Sequence, residues 1–123
     1  MFYKLQLYLK NMKTFTNMLS IDLWEAWIDT GVSERDNTST LYVLGDVYVG
    51  LSKVDPVLKK RQWQNGHPAH LYLELYPPVI EDDGRVAEVS YFEVLEQDKH
   101  YSKINICIGD AVVAEIEEIE QVH

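Results

Sequence analysis

LYVLGDVYV, residues 41–49, carries the clearest secondary-structure signal of this 123-residue chain. One side of an extended backbone would carry only aliphatic residues: Leu41, Val43, Val47 and Val49. The opposite side would carry Tyr42 and Tyr48. Aromatic and β-branched residues with a period of two predict a strand with one buried face. Gly45-Asp46 in its middle predicts a bulge or the close approach of a neighbouring backbone.

Several segments on either side give similar signals. We predict strands over residues 3–9, 71–76, 86–95, 103–108 and 111–116. Asp83-Gly84 is a strong hairpin signal, and Gly109-Asp110 joins the last two strands into a hairpin. The C-terminal residues 115–122 have apolar side chains three apart, which fits either a bulged strand or a terminal helical turn.

Two segments favour short helices instead. In residues 20–31, Leu23, Trp24, Trp27 and Ile28 are spaced as on one helix face, although a strand with the two tryptophans on opposite faces competes with this interpretation. In residues 55–63, an aspartate followed by Pro56 is typical of a helix N-terminus.

Together these segments predict a mainly β protein. We expect an antiparallel sandwich or barrel of about six strands with one or two short helices, the alternative being an α+β fold with a helix packed on an antiparallel sheet. No linker-like stretch divides the chain, so residues 1–123 are predicted to form a single domain. Because Met12 and Met18 offer other starts, residues 1–18 could instead be an extension of that domain.

Composition restricts the partners. The chain has 20 acidic and 11 basic residues, a formal charge of −9, and this sign repels nucleic acid and anionic membrane surfaces. It also has no apolar stretch near the ~20 residues that span a bilayer, and its N-terminus lacks the apolar core of a signal peptide. We therefore expect a cytoplasmic protein that binds neither nucleic acid nor membranes.

Residue types that carry chemistry are present without a recognisable spacing. The single cysteine, Cys107, lies in an apolar run and is expected in the core. His67 and His70 would point to opposite sides of an extended chain, and the acidic turn at residues 81–83 lacks the spacing of a calcium loop. No nucleophile motif or phosphate-binding loop occurs. We expect no cofactor and no metal, and we favour a protein without catalytic activity.

The aromatic residues give the functional hypothesis. If the aliphatic face of residues 41–49 is buried, Tyr42 and Tyr48 lie on the outer face, unless a second layer containing Trp24 and Trp27 covers them. The leading hypothesis is a non-catalytic binding or assembly domain that contacts itself or another protein through this face. The rival hypothesis is a protein that binds a small ligand or carbohydrate, either as a simple binder or as an enzyme, in a cavity lined by Trp24, Trp27 and Trp63.

Overall fold

The computed structural model describes residues 24–33, 38–61, 69–78, 81, 83–96 and 99–122. Over these residues the chain forms eight strands and no helix. The strands are β1 (Trp24–Ser33), β2 (Thr38–Gly50), β3 (Val57–Lys60), β4 (His70–Tyr76), β5 (Arg85–Leu95), β6 (Lys103–Ile108), β7 (Ala111–Ile116) and β8 (Ile119–Val122). The mainly β prediction is confirmed, whereas the predicted strand over residues 3–9 and the possible extension 1–18 lie outside the described residues.

The strands form two four-stranded sheets that face each other like the layers of a sandwich. We call the sheet of order β5-β2-β1-β8 the first sheet and the sheet of order β3-β4-β6-β7 the second sheet. Two neighbouring pairs, β1 with β8 and β4 with β6, are parallel, so both sheets are mixed. The prediction of a purely antiparallel arrangement is therefore wrong, and the sheets do not close into a barrel. Local alternation reveals that a segment is a strand but does not reveal the direction of its partner.

The core lies between the two sheets and confirms the alternation predicted for β2. Its aliphatic side is sealed, with Leu41, Val43 and Val47 buried, while the alternate residues that point to the other side are only partly buried. The second sheet supplies the opposite wall with side chains that are also fully buried: Leu71, Leu73, Leu75, Ile104 and Ile106. Each such side chain contributes about 1.5–3 kcal/mol relative to an exposed one, so this layer of aliphatic residues is what joins the sheets.

The prediction that favoured a helix over residues 20–31 is wrong, because the described residues of this segment form the strand β1. Trp24, Ala26 and Ile28 are buried in the core, and Trp27 lies on the opposite face. The spacing of four between Trp24 and Ile28 fits one face of a helix and one face of a strand equally. Pairing with β2 on one side and β8 on the other supplies the backbone hydrogen bonds, and this tertiary contact decides in favour of the strand.

The helix predicted over residues 55–63 is also wrong, because β3 begins at Val57 and pairs antiparallel with β4. Asp55 does not act as a helix cap; its carboxylate lies 2.7 Å from the Arg85 guanidinium. Leu58 is buried while its neighbours Val57 and Lys59 are exposed, as expected for a short edge strand.

Of the two turns predicted to form hairpins, only one does so in the structure. Gly109-Asp110 joins β6 to β7 as the predicted hairpin, and Gly109 has a φ of 60°. The hairpin signal at Asp83-Gly84 is misleading, because β4 and β5 belong to different sheets. Gly84 has a φ of 88° and forms a bridge with Gly50, and a Cβ atom on it would lie 2.5 Å from the Gly50 Cα. This glycine thus allows two backbones to meet where the chain passes from one sheet to the other.

The C-terminal residues form a strand, β8, that follows a two-residue break after β7 and joins the first sheet. The chain therefore changes sheets between Ile116 and Ile119, which explains the apolar spacing of three that made this segment ambiguous. Within the described part of the chain, no helix is long and apolar enough to cross a membrane.

Candidate functional site

The outer face of the first sheet, the side turned away from the core, carries a row of three aromatic side chains. Trp27 on β1 is paired with Tyr42 on β2, and Tyr42 is paired with Phe92 on β5. The Trp27 and Tyr42 rings are stacked, with centroids 5.4 Å apart and planes 21° from parallel. Phe92 is 68% exposed. We call these three residues the aromatic row; it crosses three neighbouring strands and leaves a large apolar ring in solvent.

Further apolar side chains extend this surface along β5. Val94 is 57% exposed, and Val86, which lies opposite Tyr48, is 50% exposed. Leu44 on β2 occupies the same face and is partly buried. Val94 adjoins Phe92, whereas Ser90 and Glu88 separate Phe92 from Val86, so this face carries a main apolar patch around the aromatic row and a smaller one at Tyr48 and Val86. Clustered exposed apolar side chains mark an interaction site more often than scattered single residues do.

The same face also carries several carboxylates. Its acidic residues on the four strands are Glu25, Asp29, Asp46, Glu88 and Glu120. No lysine or arginine occupies an outward position on β1, β2, β5 or β8 within the described residues. Glu120 lies directly beside Trp27 on the adjacent strand, and Asp46 lies directly opposite Glu88. The apolar row is therefore bordered by negative charge.

A groove of about 590 Å³ lies at the β1 and β8 side of the first sheet and is lined by residues of both of its faces. It is bordered by Trp24, Glu25, Ala26 and Trp27 and by Ile116, Glu117, Glu118 and Glu120. Four of these eight residues are glutamates, so the groove is acidic and ends on one ring of the aromatic row.

The predicted site residues separate into different locations. Tyr42 and Tyr48 lie on the outer face, half-buried by their neighbours. Trp27 joins them there, but as part of the same sheet and not as a covering layer. Trp24 points into the core, where its indole Nε1 is buried without a hydrogen-bond partner in the described structure. Trp63 lies outside the described residues. Phe92 was missed, because only the strand register places it beside Tyr42.

The Trp24 ring explains why residue 45 is a glycine. These two residues are paired across β1 and β2, and a Cβ atom on Gly45 would lie 2.3 Å from the indole ring. The expected close approach is therefore made by a side chain and not by a backbone, and the ladder between β2 and β5 has no bulge at this position.

A second cluster was not predicted from the sequence. Glu93 on β5 points towards the inside of the sandwich near its edge, and its carboxylate accepts hydrogen bonds from four side chains. The donors are Tyr91 Oη at 2.8 Å, Lys60 Nζ at 3.1 Å, Tyr101 Oη at 3.1 Å and Lys99 Nζ at 3.3 Å. We call Glu93 and these four residues the Glu93 cluster; it links β3 to β5, which are edge strands of the two sheets.

The electrostatics of the Glu93 cluster favour a fixed charge. Burial by itself would raise the pKa of Glu93, but the hydrogen bonds from Tyr91 and Lys60, the Lys60 charge and the Lys99 hydrogen bond outweigh burial and lower it. Burial and the hydrogen bond to Glu93 raise the pKa of Tyr91. Glu93 therefore stays ionised and saturated with donors, which suits a structural role and not that of a general acid. An inward-pointing charge near the edge also disfavours pairing with a foreign strand.

Other groups with reactive potential are inactive in this structure. Cys107 is buried, as predicted, and desolvation raises the pKa of its thiol to about 11, so the thiolate nucleophile is suppressed. Over the described ranges, no three histidine, cysteine, aspartate or glutamate side chains come together as metal ligands. His67, His123 and Asp82 are not among the described residues.

The outer face of the second sheet has a different character, because its charges occur in pairs. Arg61 Nε lies 3.6 Å from a Glu74 oxygen, and Lys103 Nζ lies 3.3 Å from a Glu115 oxygen. Lys59 Nζ lies 4.9 Å from the centre of the Tyr76 ring. Each of these cations has an anionic or aromatic neighbour within the chain.

Comparisons with known proteins add no relative: a scan of protein-family models, a search of curated proteins and a search of solved structures each found no match. Function must therefore be inferred from the geometry and charge of the described residues, above all those of the outer face of the first sheet.

Proposed function

We propose that this protein is a non-catalytic binding or assembly domain that contacts a protein surface through the outer face of its first sheet. The aromatic row is the observation that carries the proposal. Tryptophan, tyrosine and phenylalanine are enriched in protein interfaces, where large rigid rings bury much area at a low cost in side-chain entropy. Here such rings lie side by side on an extended, half-exposed surface next to Val86 and Val94.

Glu93 and Cys107 are residue types that can act in catalysis, and their surroundings support the non-catalytic part of the proposal. Catalysis requires a group whose protonation or nucleophilicity is matched to a reaction and which substrate can reach. Glu93 is held as an anion by four donors and Cys107 is buried as a thiol. Both arrangements stabilise the fold and offer no reactive atom to a substrate.

The acidic groove favours a second candidate function, the binding of a small ligand or carbohydrate. Trp24 and Trp27 both border it, although their side chains belong to opposite faces of β1. Titrating the protein with panels of sugars and metabolites while recording tryptophan fluorescence tests this candidate. A saturable change that disappears in Trp27→Phe would favour the small-ligand function over the protein-binding one.

Site-specific photocrosslinking tests the leading proposal. A benzophenone-bearing phenylalanine analogue is placed at Phe92, and in a matched control at Tyr76, which is 55% exposed on the outer face of the second sheet. The protein is expressed in its native cells, illuminated and examined for adducts, and purified protein is sedimented at high micromolar concentration. We expect adducts from position 92 and none from position 76. Equal labelling at both positions, or no adduct together with a strict monomer, would contradict the proposal.

A further inference from the structure

We propose that the partner is a protein segment that presents arginine or lysine among apolar side chains, with the cation seated on Trp27 between Glu120 and Glu25. This inference rests on the proposed function and specifies the chemistry of the partner. It is drawn from three features of the outer face of the first sheet: its charge, the position of its carboxylates relative to the aromatic row, and the acidic groove beside β8.

The negative charge of this face predicts that the partner carries positive charge. The five outer-face carboxylates of the first sheet share that face with no lysine or arginine in the described structure. Complementary potentials speed association and exclude wrong partners, and opposed like charges cost several kcal/mol. A partner that covers Glu25 and Glu120 without bringing positive charge would remove both carboxylates from water uncompensated, which is unfavourable.

The local geometry gives the type of cation. Trp27 is stacked on Tyr42 and lies beside Glu120, while Glu25 precedes it by two residues on the same side of β1. A cation over a tryptophan face is attracted by the ring, and a guanidinium can stack on the ring and hydrogen-bond a carboxylate in its own plane. Trp27 borders the same groove as Glu117, Glu118 and Glu120, so these carboxylates add to the negative potential around the ring.

A twofold contact with a second copy of the chain is unfavourable at this face. In such a contact the same patch meets itself, so each set of carboxylates would face the other set. In a head-to-tail contact that used the outer face of the second sheet, Arg61 and Lys103 would have to leave the ion pairs that they form within their own chain. A different polypeptide with unpaired cations avoids both costs.

The test uses the full-length protein and a labelled octapeptide in which leucine and arginine alternate. Matched peptides carry citrulline, which keeps the shape of arginine without its charge, or glutamate. Fluorescence anisotropy at low and moderate salt measures the dissociation constants. We expect the arginine peptide to bind about tenfold more tightly than the citrulline peptide and the glutamate peptide not to bind.

Variants then locate the binding. Trp27→Ala should weaken binding of the arginine peptide about tenfold and Glu120→Gln about threefold. Glu74→Gln, which removes the same charge from the outer face of the second sheet, should change binding less than about twofold. Circular dichroism establishes that each variant is folded, and Glu120→Gln provides the decisive comparison if Trp27→Ala is not.

Four results would overturn the inference. The first is equal binding of the arginine and citrulline peptides, and the second is equal effects of Glu74→Gln and Glu120→Gln on binding. The third is displacement of the peptide by arginine amide at equal concentration. The fourth is a native protein that dimerises and whose dimer dissociates in Phe92→Asp. Adducts from position 92 combined with any of the first three would leave the proposed function standing and remove only the cationic partner. Absence of adducts together with a strict monomer in sedimentation would remove both.

Discussion

The inner and outer sides of the first sheet differ in whether their side chains find packing and hydrogen-bond partners within the chain. On the inner side the aliphatic residues of β2 are sealed by the second sheet, and Glu93 has four hydrogen-bond donors. On the outer side, rings and carboxylates share the same strands with no lysine or arginine among the described residues, and Phe92 is mostly exposed. Apart from the Trp24 indole nitrogen, which has no hydrogen-bond partner in the described structure, the inner side is satisfied within the chain, whereas the outer side has properties that a partner would satisfy.

This difference separates stability from binding. Substitutions on the inner side remove packing or hydrogen bonds that exist in the isolated chain, so they should lower its stability. Apart from the Trp27–Tyr42 stack, the exposed side chains of the outer side make few contacts within the chain, so substitutions at these exposed positions should leave the isolated chain nearly unchanged or stabilise it. Three substitutions test this separation.

The largest effect is expected at Gly45 on the inner side. In Gly45→Ala the new methyl group overlaps the Trp24 ring, which is buried and cannot swing into solvent. Overpacking of this kind costs about 1–3 kcal/mol, and we expect a loss of about 2 kcal/mol or more in urea unfolding followed by circular dichroism. Ser90→Ala, on the exposed outer side of β5, should stay within about 0.5 kcal/mol.

A double substitution identifies the cause of this loss. If the overlap with the indole is responsible, introducing Gly45→Ala into Trp24→Leu should cost much less than introducing it into the native chain. Equal costs in the two backgrounds would show that the methyl group acts through the backbone and not through the ring.

An intermediate effect is expected for Glu93→Gln, with a defined pH dependence. The variant loses the charge that strengthens the hydrogen bonds from Lys60 and Tyr91, and we expect a loss of about 1 kcal/mol at pH 7. The folded-state pKa of Glu93 is lowered, so its contribution is fully present above the usual value of 4.5 and is lost as the pH falls through the lower folded value. The stability gap between native protein and variant should therefore close under acidic conditions.

Unfolding free energies measured between pH 3 and pH 7, about 4 units that bracket the usual glutamate pKa, give the test. Glu115→Gln on the second sheet is the control, since its partner Lys103 also lies near Glu117. A gap for Glu93→Gln that does not narrow at all between pH 7 and pH 3 would mean that the loss reflects shape and not charge.

Sequence reasoning succeeded where the signal was local. The parity of β2 followed from alternation within residues 41–49, and it placed Tyr42 and Tyr48 on the outer side correctly. The mainly β class and the β6–β7 hairpin were equally local inferences. They needed no knowledge of which strand lies beside which.

The errors arose where distant residues decide the structure. Trp24 and Ile28 fit a helix until β2 and β8 are placed on either side of β1. Glu93 is an ordinary acidic residue in a strand until Lys60, 33 positions earlier in the chain, reaches it. Phe92 joins the aromatic row only through the register of β5 on β2.

The smallest effect, and the one with opposite sign, is expected for Glu88→Gln on the outer side. Glu88 lies directly opposite Asp46, and like charges at facing positions of an antiparallel pair destabilise a sheet. We therefore expect the substitution to raise the unfolding free energy by about 0.3–0.5 kcal/mol at low salt, and the gain to shrink at high salt as the repulsion is screened. Glu74→Gln, which breaks the pair with Arg61 on the second sheet, should instead lower stability by a similar amount. If both substitutions destabilised the protein equally, the outer-face carboxylates of the first sheet would already be compensated within the chain, and the electrostatic reason for a cationic partner would disappear.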